Sequence, residues 1–256
     1  MKRFLPFLII IAVLGAGLGA AWYLMKRSAQ SSSGGSAGGN PVKPGVSPDA
    51  AVATNASPGA NPPHARGPNN APVTLEEFGD FECPPCGQTH PILKKLQGDY
   101  GDRLRVIFRE FPLTPPHVHA LAAAQAAEAA GLQGKFFEMH DLLYENQKSW
   151  KEAFDTRPIF EGYARQIGLD VERFKTDQTG EIVARRITLD GSRGHSLGVK
   201  GTPTIFINGV EIPFAQVTPD GLHAAIEKAL AANNRATSLG PRASRPHERA
   251  ARTGRS

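Results

Sequence analysis

The feature that most constrains this chain is a pair of cysteines, Cys83 and Cys86, separated by two prolines. They are the two cysteines of the 256-residue sequence, and they lie between a strand-like run ending at Phe78 and a helix-like run. A cysteine at the start of a helix faces unpaired backbone N–H groups and the positive end of the helix dipole, which stabilise a thiolate. Two thiols at this spacing can also close into a disulfide within one helical turn. The pair therefore favours thiol–disulfide exchange chemistry.

Two other interpretations of the cysteine pair are less well supported. A structural Cys-x-x-Cys disulfide would close a very short loop, where a cross-link stabilises a protein least. A structural zinc site needs four ligands, usually from a second paired cluster, and the sequence has no such cluster. His90, four residues after Cys86, is expected to face solvent on the following helix. We therefore predict a redox pair with no metal and no organic cofactor.

Composition divides the chain into segments. Residues 28–71 are dominated by Ser, Gly, Ala, Pro and Asn, and residues 234–256 carry six arginines, one glutamate and no aromatic residue. Neither segment can bury enough apolar surface to offset the entropy of ordering it, so we predict a disordered linker and a disordered Arg-rich tail. The folded domain is predicted over residues 72–233, a usual size for one domain.

The basic character of the chain comes from its C-terminal tail. The whole chain has a net charge of +5, and the six arginines and one glutamate of residues 234–256 already sum to +5. The domain is therefore not expected to present the basic surface that nucleic-acid binding requires. The tail could contact anionic lipid, wall polymer or an acidic protein, or it could serve only solubility.

Residues 1–27 have the pattern of a single membrane-spanning helix. An uncharged run, Phe4–Met25, is flanked by pairs of basic residues and ends near the aromatic pair Trp22-Tyr23, as expected at a membrane–water boundary. About 20 apolar residues cross a bilayer, whereas the apolar region of a cleaved signal spans about 7–15. We expect a retained anchor, with a cleaved signal sequence as the alternative because Gly19–Ala21 offers small residues.

The location of the domain is predicted from its chemistry, because the basic pairs on either side of the apolar run nearly balance. A dithiol that acts on protein disulfides is most useful in an oxidising compartment, and no other cysteine is present to mispair with it. We therefore expect a single-pass protein of the inner (cytoplasmic) membrane with its domain in the periplasm or outside the cell. As a flexible coil, the predicted linker would span roughly 35–40 Å.

Hydrophobic periodicity from residue 72 onward predicts alternating strands and helices. The predicted order is strand 73–78, a helix that fades near Gly98, strand 104–111, a block of helices at about 114–198, strands 204–208 and 210–213, and helix 219–231. Asn208-Gly209 between the last two strands is a strong hairpin signal. The order predicts an α/β core that is interrupted by an all-helical insertion.

Three motifs make the chain resemble the thioredoxin superfamily, and within it the DsbA-like branch of extracytoplasmic thiol–disulfide oxidoreductases. They are Val73–Phe78 running into Cys83-Pro84-Pro85-Cys86, the insert segment Gly134–Asp141, and Val199–Gly209 with its Gly201-Thr202-Pro203-Thr204. The resemblance covers nearly all of residues 72–233 and none of the anchor, linker or tail. It implies a thioredoxin-like α/β fold with an all-helical insertion and a protein-disulfide oxidoreductase activity.

The resemblance also implies roles for individual residues. Cys83 would be the exposed attacking cysteine, and Cys86 would be the buried resolving cysteine. Pro203 would be a cis-proline that packs beside the disulfide, and Thr202 would present its backbone to an extended substrate. Glu77 would be a buried acid that moves protons for Cys86.

The acidic residues around the motif have a second interpretation. Because buried acids are rare, Glu77 could instead be an ordinary charge at a sheet edge. Asp80 and Glu82 are expected to be solvated.

The dipeptide Pro84-Pro85 departs from that of strongly oxidising relatives, which have histidine at the second position. Proline has no N–H to donate, and no imidazolium stabilises the thiolate. A less stable thiolate makes the disulfide less oxidising, so we expect a milder oxidant than these relatives. We also expect Pro84 and Pro85 to contact the substrate.

Several functions and partners follow from this resemblance. The alternatives to an oxidase are a disulfide reductase or isomerase, an electron donor to one dedicated partner, and a non-catalytic chaperone or binding module. The expected partners are cysteine-containing protein substrates and a membrane redox partner, and no nucleic acid.

Overall fold

A five-stranded sheet organises residues 56–238, which are the residues that the computed structural model describes. Its strands are β1 (His64–Arg66), β2 (Val73–Gly79), β3 (Leu104–Glu110), β4 (Thr204–Ile207) and β5 (Val210–Ile212). Their order across the sheet is β1-β3-β2-β4-β5. The pair β2–β3 is parallel and the other three pairs are antiparallel. The strand that leads to the cysteines, β2, is therefore the central strand.

Helices flank this sheet and fill the predicted insertion. In the described part of the chain they are α1 (Pro84–Tyr100), α2 (Ala120–Gly131), α3 (Phe136–Glu145), α4 (Gln147–Trp150), α5 (Arg157–Gln166), α6 (Val171–Gln178), α7 (Glu181–Ser196) and α8 (Pro219–Ser238). The helices α2 to α7 lie between β3 and β4, within the predicted limits of 114–198. The short helix α4 was not predicted.

The central strand is buried on both faces, which the alternation of its side chains explains. One face packs against α1 and α8 in a cluster that includes Val73, Leu75, Leu93, Leu96, Leu222 and Ile226. On the other face, the ring of Phe78 meets Phe111 and Phe206 edge to face, at centroid distances of 6.1 and 5.9 Å. Each such fully buried apolar side chain stabilises the fold by about 1.5–3 kcal/mol.

The core of the insertion continues directly into the cysteine motif. Alanines on α2, which are small enough to let neighbouring helices approach closely, form one buried cluster with Trp150, Phe160 and Phe174. The same cluster includes Phe81, Cys83 and Cys86. The insertion therefore forms part of the environment of the two sulfurs.

Residues 56–71 belong to the folded domain, so the predicted linker of residues 28–71 was wrong for this part. Strand β1 pairs antiparallel with β3, with His64 opposite Phe108. Ala60 is 1% exposed, and its backbone N–H donates to Asp190 Oδ1 at 2.8 Å. Polar contacts to distant residues order this segment, and an argument from apolar content alone does not anticipate them.

The C-terminal boundary of the domain also differs from the prediction. Helix α8 extends to Ser238, which is five residues beyond the predicted end at residue 233, so residues 234–238 do not belong to a disordered tail. The predictions for the anchor at 1–27, for the linker before residue 56 and for the tail after residue 238 lie outside the described residues. Within residues 56–238, no helix combines the length and the apolar character needed to cross a membrane.

Candidate active site

Cys83 caps the N-terminus of α1. Its backbone is extended, with φ −67° and ψ 120°, and Pro84 and Pro85 occupy the first two helical positions. Proline is tolerated there because those positions have no intrahelical acceptor for an N–H. The N–H of Cys83 donates to Asp80 O at 3.1 Å, and the N–H of Gly87 donates to Cys83 O at 3.2 Å. The turn thus places the Cys83 sulfur at the positive end of the helix.

The two cysteines are free thiols with different environments. Cys86 is fully buried, and Cys83 keeps 5% of its surface exposed, so Cys83 is less exposed than predicted. A hydrogen bond from Cys86 is the main cause that lowers the pKa of Cys83 to about 6, against the opposing effect of burial. Burial, followed by the interaction with Cys83, raises the pKa of Cys86 well above its usual value. The site therefore holds one ready thiolate and one protonated thiol.

The loop before β4 lies directly over Cys83. Sγ of Cys83 lies 3.2 Å from the backbone oxygen of Thr202, to which it donates when protonated, and the Thr202–Pro203 peptide bond is cis, as the resemblance implied. The Thr202 hydroxyl oxygen, buried and without another partner among the described residues, also lowers the pKa of Cys83. Because Thr204 pairs with Phe78 in the sheet, β4 brings this distant loop to the cysteines. The structure thus brings together four of the predicted site residues.

The remaining predicted contact residues lie at the surface of the same turn. Pro84 is exposed and Pro85 is half-buried, while Pro203 is buried. A protein bound over the cysteines would therefore reach Pro84 first. Their contact with a substrate remains a prediction.

Glu77 is buried in the central strand, so the interpretation as a sheet-edge charge was wrong. The residue is 3% exposed, and its Oε1 has no hydrogen-bond partner among residues 56–238. Burial, with a smaller contribution from the charge of Cys83, raises the pKa of Glu77 to about 8. Glu77 in turn helps to raise the pKa of Cys86. The carboxyl group is thus protonated at neutral pH and electrostatically linked to both sulfurs.

Sequence reasoning missed Gln147, which holds the cysteine turn in place. Its side-chain N–H group donates to Phe81 O at 2.7 Å and to Cys83 O at 2.8 Å. Gly87 makes room for it, because a Cβ at Gly87 would lie 2.7 Å from Gln147 Oε1. A glutamine 64 residues after Cys83 carries no local signal of this contact.

Asp80 and Glu82 are buried, so the expectation that they are solvated was wrong. One Asp80 oxygen accepts from the N–H of Glu82 at 2.8 Å, and the other accepts from the N–H of Leu113 at 2.8 Å and lies 2.7 Å from His117 Nδ1. Glu82 accepts from the N–H of His119 at 2.5 Å. Both carboxylates tie the cysteine turn to the segment that opens the insertion.

His90 is also buried, at 6% exposure, contrary to the expectation that it faces solvent. Among the described residues, His90, His140 and Asp141 place potential metal-ligand atoms within 4.8 Å of one another. However, Arg66 and Lys94 already approach Asp141 Oδ2 to 2.7 and 3.3 Å. These two cations neutralise the carboxylate that a metal ion would need.

Comparison with known proteins places this geometry in a family. Among curated proteins, the chain is 41% identical over 186 residues to the Na(+)/H(+) antiporter NhaA 1 of Salinispora arenicola. That match covers 73% of this chain and 27% of the relative, so the chain spans about a quarter of the length of that relative.

Two solved structures match over nearly their whole length. BdbD from Bacillus subtilis, in its oxidised form, is 26% identical with a TM-score of 0.59, covering 66% of this chain and 93% of that one. A thioredoxin-like oxidoreductase from Silicibacter pomeroyi is 26% identical with a TM-score of 0.56, covering 67% and 94%. A family model described as thioredoxin matches residues 60–228. The chain therefore belongs to the thioredoxin family, and it shares its fold with thiol–disulfide oxidoreductases of that family.

Proposed function

We propose that this chain is a thiol–disulfide oxidoreductase that exchanges disulfides with cysteine-containing proteins through Cys83 and Cys86. The difference between the two sulfurs carries the proposal. The pKa of Cys83 is lowered to about 6 at a helix start beside a cis-proline loop, whereas the pKa of the fully buried Cys86 is raised. At neutral pH a nucleophilic thiolate at Cys83 is paired with a thiol, Cys86, that can attack Sγ of Cys83 in a mixed disulfide and release the bound protein as a thiolate.

In the oxidising direction, a substrate thiolate attacks Sγ of Cys83 in the Cys83–Cys86 disulfide. The electron pair of the broken bond stays on Cys86, which takes a proton, and Glu77 is the buried group placed to supply it. A second substrate thiolate then attacks the mixed disulfide, and Cys83 leaves as a thiolate. The substrate gains a disulfide, and the enzyme gains the two electrons that a membrane redox partner later removes.

The stability of the Cys83 thiolate supports a mild oxidant. Its pKa of about 6 falls between the values near 7 for thioredoxin and near 3.5 for DsbA. Because a stable thiolate favours the reduced form, we expect a potential between about −270 and −120 mV. Equilibration with glutathione measures it, and a potential at or below the value of about −270 mV for thioredoxin would favour a reductase instead.

The activity itself is tested with insulin reduction and with oxidative refolding of a scrambled substrate. We expect Cys83→Ser to lower both to the uncatalysed rate, because the attacking sulfur is lost. Cys86→Ser should still form mixed disulfides but release them slowly. Full function in Cys83→Ser would contradict the proposal and favour a non-catalytic chaperone or binding module.

We also propose that the domain works outside the cytoplasm beside a membrane partner. The apolar run Phe4–Met25 supports an anchor, and the relative named as a Na(+)/H(+) antiporter makes membrane transport proteins candidate partners. After mild external reduction of intact cells, a membrane-impermeant maleimide should label Cys83 without lysis. Labelling only after lysis would contradict this location, and proteins trapped by Cys86→Ser would identify the partner.

A further inference from the structure

A small cavity lies between Glu77 and the protein surface. Its volume is about 20 Å³, and Glu77, His90, Lys94 and His140 are among the residues that line it. A cavity of this size holds one water molecule. Glu77 Oε1 and His90 Nε2 are both buried and lack a hydrogen-bond partner within residues 56–238. A water in this cavity would lie beside both residues.

The reaction requires a proton path out of Glu77. In the reduced protein Glu77 is protonated at neutral pH, because burial raises its pKa to about 8. Before Glu77 can accept the proton of Cys86 during reoxidation, it must lose its own proton. With 3% exposure on a central strand, Glu77 has almost no direct contact with solvent. Another group must therefore receive the proton.

We propose that His90 is a positioning residue that relays this proton, receiving it from Glu77 through a water in the cavity and passing it to the surface beside Asp141 and Lys94. The inference rests on the proposed function and adds the outward path to it. His90 touches neither sulfur and acts only through Glu77.

The surroundings of His90 suit this task. The ring stacks on Tyr144 at a centroid distance of 5.2 Å, which fixes its orientation. Burial lowers the pKa of His90, so the neutral ring has a lone pair available at neutral pH. Asp141 Oδ1, 3.9 Å from Nε2, favours the imidazolium that forms during transfer, whereas the nearby cations Lys94 and Arg66 favour its onward loss of the proton. The titratable and charged groups around the ring are Glu77 from β2, Arg66 from β1, Lys94 from α1, and His140, Asp141, Tyr144 and Glu145 from α3.

Lys94 completes the path to solvent. Its ammonium group lies 3.3 Å from Asp141 Oδ2 and 2.9 Å from Glu145, and its side chain is 50% exposed. Lys94 and its carboxylate partners thus lie at the point where the cavity reaches the solvent. A proton that leaves His90 therefore has an exchanging surface group within a few ångströms.

Oxidised glutathione reoxidises the reduced protein in two exchange steps. The Cys83 thiolate attacks glutathione disulfide, forming the mixed disulfide and releasing one glutathione thiolate. Glu77 loses its proton through the water and His90, and then takes the proton of Cys86. The Cys86 thiolate attacks Sγ of Cys83, forming the internal disulfide and releasing the second glutathione thiolate. Two electrons pass from the dithiol to glutathione disulfide.

The test separates these two steps in the purified full-length chain. Reduced protein is mixed with oxidised glutathione, quenched with acid at intervals, and analysed by mass spectrometry between about pH 5 and pH 9. The bimolecular first step uses Cys83 alone, and the unimolecular second step uses Glu77. We expect His90→Gln, which keeps a polar side chain but cannot carry a proton, to slow the second step about 10-fold or more at neutral pH. The first step should change by less than about 2-fold, since Cys83 needs no acceptor for its proton.

Matched variants decide between the relay and its alternatives. Gln97→Leu alters another residue that lines the same cavity and has no place in the relay, and we expect it to change the second step by less than about 3-fold if His90 carries the proton. An unchanged second step in His90→Gln overturns the relay, as does a loss of the second step that is confined to Gln97→Leu. If both steps slow, added imidazole with His90→Ala decides: recovery of the second step supports the relay, and no recovery overturns it. Failure of the unaltered protein to form a mixed disulfide overturns the proposed function and the relay with it.

Discussion

Glu76 and Glu77 are neighbours on β2, and their environments are opposite. Burial opposes ionisation of Glu76, but hydrogen bonds from Arg193 and Arg109 outweigh it and lower the pKa. The guanidinium of Arg193 binds both Glu76 oxygens, at 2.7 and 2.8 Å, and Arg109 binds one at 2.7 Å. Glu77 has no such cation, and burial raises its pKa to about 8.

The two glutamates therefore have different tasks: the charge of Glu76 stabilises the fold, and the carboxyl group of Glu77 takes part in proton transfer. The arginines that hold Glu76 also bind the entering chain, because Arg109 donates to Ala60 O at 2.7 Å and Arg193 donates to Ser57 O at 2.9 Å. The Glu76 side of the sheet therefore fastens the N-terminal segment. The Glu77 side leaves a carboxyl group unpaired, so that a proton can move. Changes at Glu76 should lower stability, and changes at Glu77 should lower the exchange rate.

The largest effect is expected from Arg193→Met. This change removes the bidentate partner of a buried carboxylate, which should lower the free energy of unfolding by about 3 kcal/mol. Urea unfolding of the reduced protein measures it. Arg185→Met, an exposed arginine on the same helix, is the control and should change stability by less than about 0.5 kcal/mol. Equal unfolding midpoints for the two variants would contradict a structural role for the Glu76 cluster.

A pH series sharpens the same prediction. Because the folded-state pKa of Glu76 lies below its ordinary value of 4.5, its stabilising contribution is present at neutral pH. That contribution is lost as the pH falls below 4.5 and through the folded-state pKa. The stability difference between the unaltered protein and Arg193→Met should therefore shrink in acid.

Glu77→Gln should affect the rate more than the stability. We expect the second exchange step to slow by about 10- to 100-fold, because Cys86 loses its buried proton acceptor. The folded-state pKa of Glu77 is about 8, above its ordinary value of 4.5. The unaltered protein therefore loses stability as the pH rises from 4.5 to about 8. The variant should lack that loss and be more stable by about 1–2 kcal/mol near pH 9.

Glu76→Gln is the matched control for this prediction. It should slow exchange little while lowering stability, the reverse of Glu77→Gln. Acid-quenched exchange kinetics and urea unfolding on both variants test the comparison. If the two variants changed the exchange rate and the free energy of unfolding alike, the two faces of the sheet would not differ in function.

Gln147→Leu tests how far the insertion supports the cysteine turn. Two buried carbonyl groups lose their donor, so stability should fall by about 1–2 kcal/mol. Alkylation of Cys83 should also change, because its backbone is no longer fixed. Gln133→Leu is the control. The Gln133 side chain makes two hydrogen bonds to the backbone of Asp170 in the same insertion, but at an exposed position. An equal loss in both variants would remove the special role of Gln147.

The smallest perturbation is a change of pH alone. Iodoacetamide alkylation of the reduced protein should reach half its maximal rate near pH 6 at Cys83, because that thiol has a pKa of about 6. Cys86 should react far more slowly, since it is fully buried and its pKa is raised. Peptide mapping by mass spectrometry follows both sites. A midpoint near the ordinary cysteine value of about 8.5 would contradict a stabilised thiolate.

Sequence reasoning could predict the parts of the site that local motifs determine. The Cys83–Cys86 spacing, the helix start and the hairpin after Pro203 each depend on neighbouring residues. The alternation along β2 also placed Glu77 on the same face as Val73 and Leu75. Its burial, however, follows from the central position of β2, which only the full topology reveals.

Several of the missed features depend on distant partners. Strand β1 lies in a segment whose polar composition predicted disorder, and it is ordered by β3 and by the arginines of β3 and α7. The donation from Gln147 to the cysteine turn and the burial of His90 against Tyr144 likewise join segments more than 50 residues apart. Periodicity and composition report neighbours along the chain, so such contacts remain invisible to them.

The two prolines after Cys83 have a practical consequence for trapping experiments. Because neither proline has an N–H, Cys86 is the first helical residue whose amide can donate to the Cys83 sulfur, and its thiol donates as well. The group that later expels a bound protein is thus the one that makes the nucleophile reactive. Cys86→Ala would delay the release of a bound protein, but it would also slow the formation of the mixed disulfide. Substrates that bind weakly or briefly would then be under-represented among the trapped proteins. Cys86→Ser keeps a hydroxyl donor beside Cys83 and is therefore the better variant for trapping substrates.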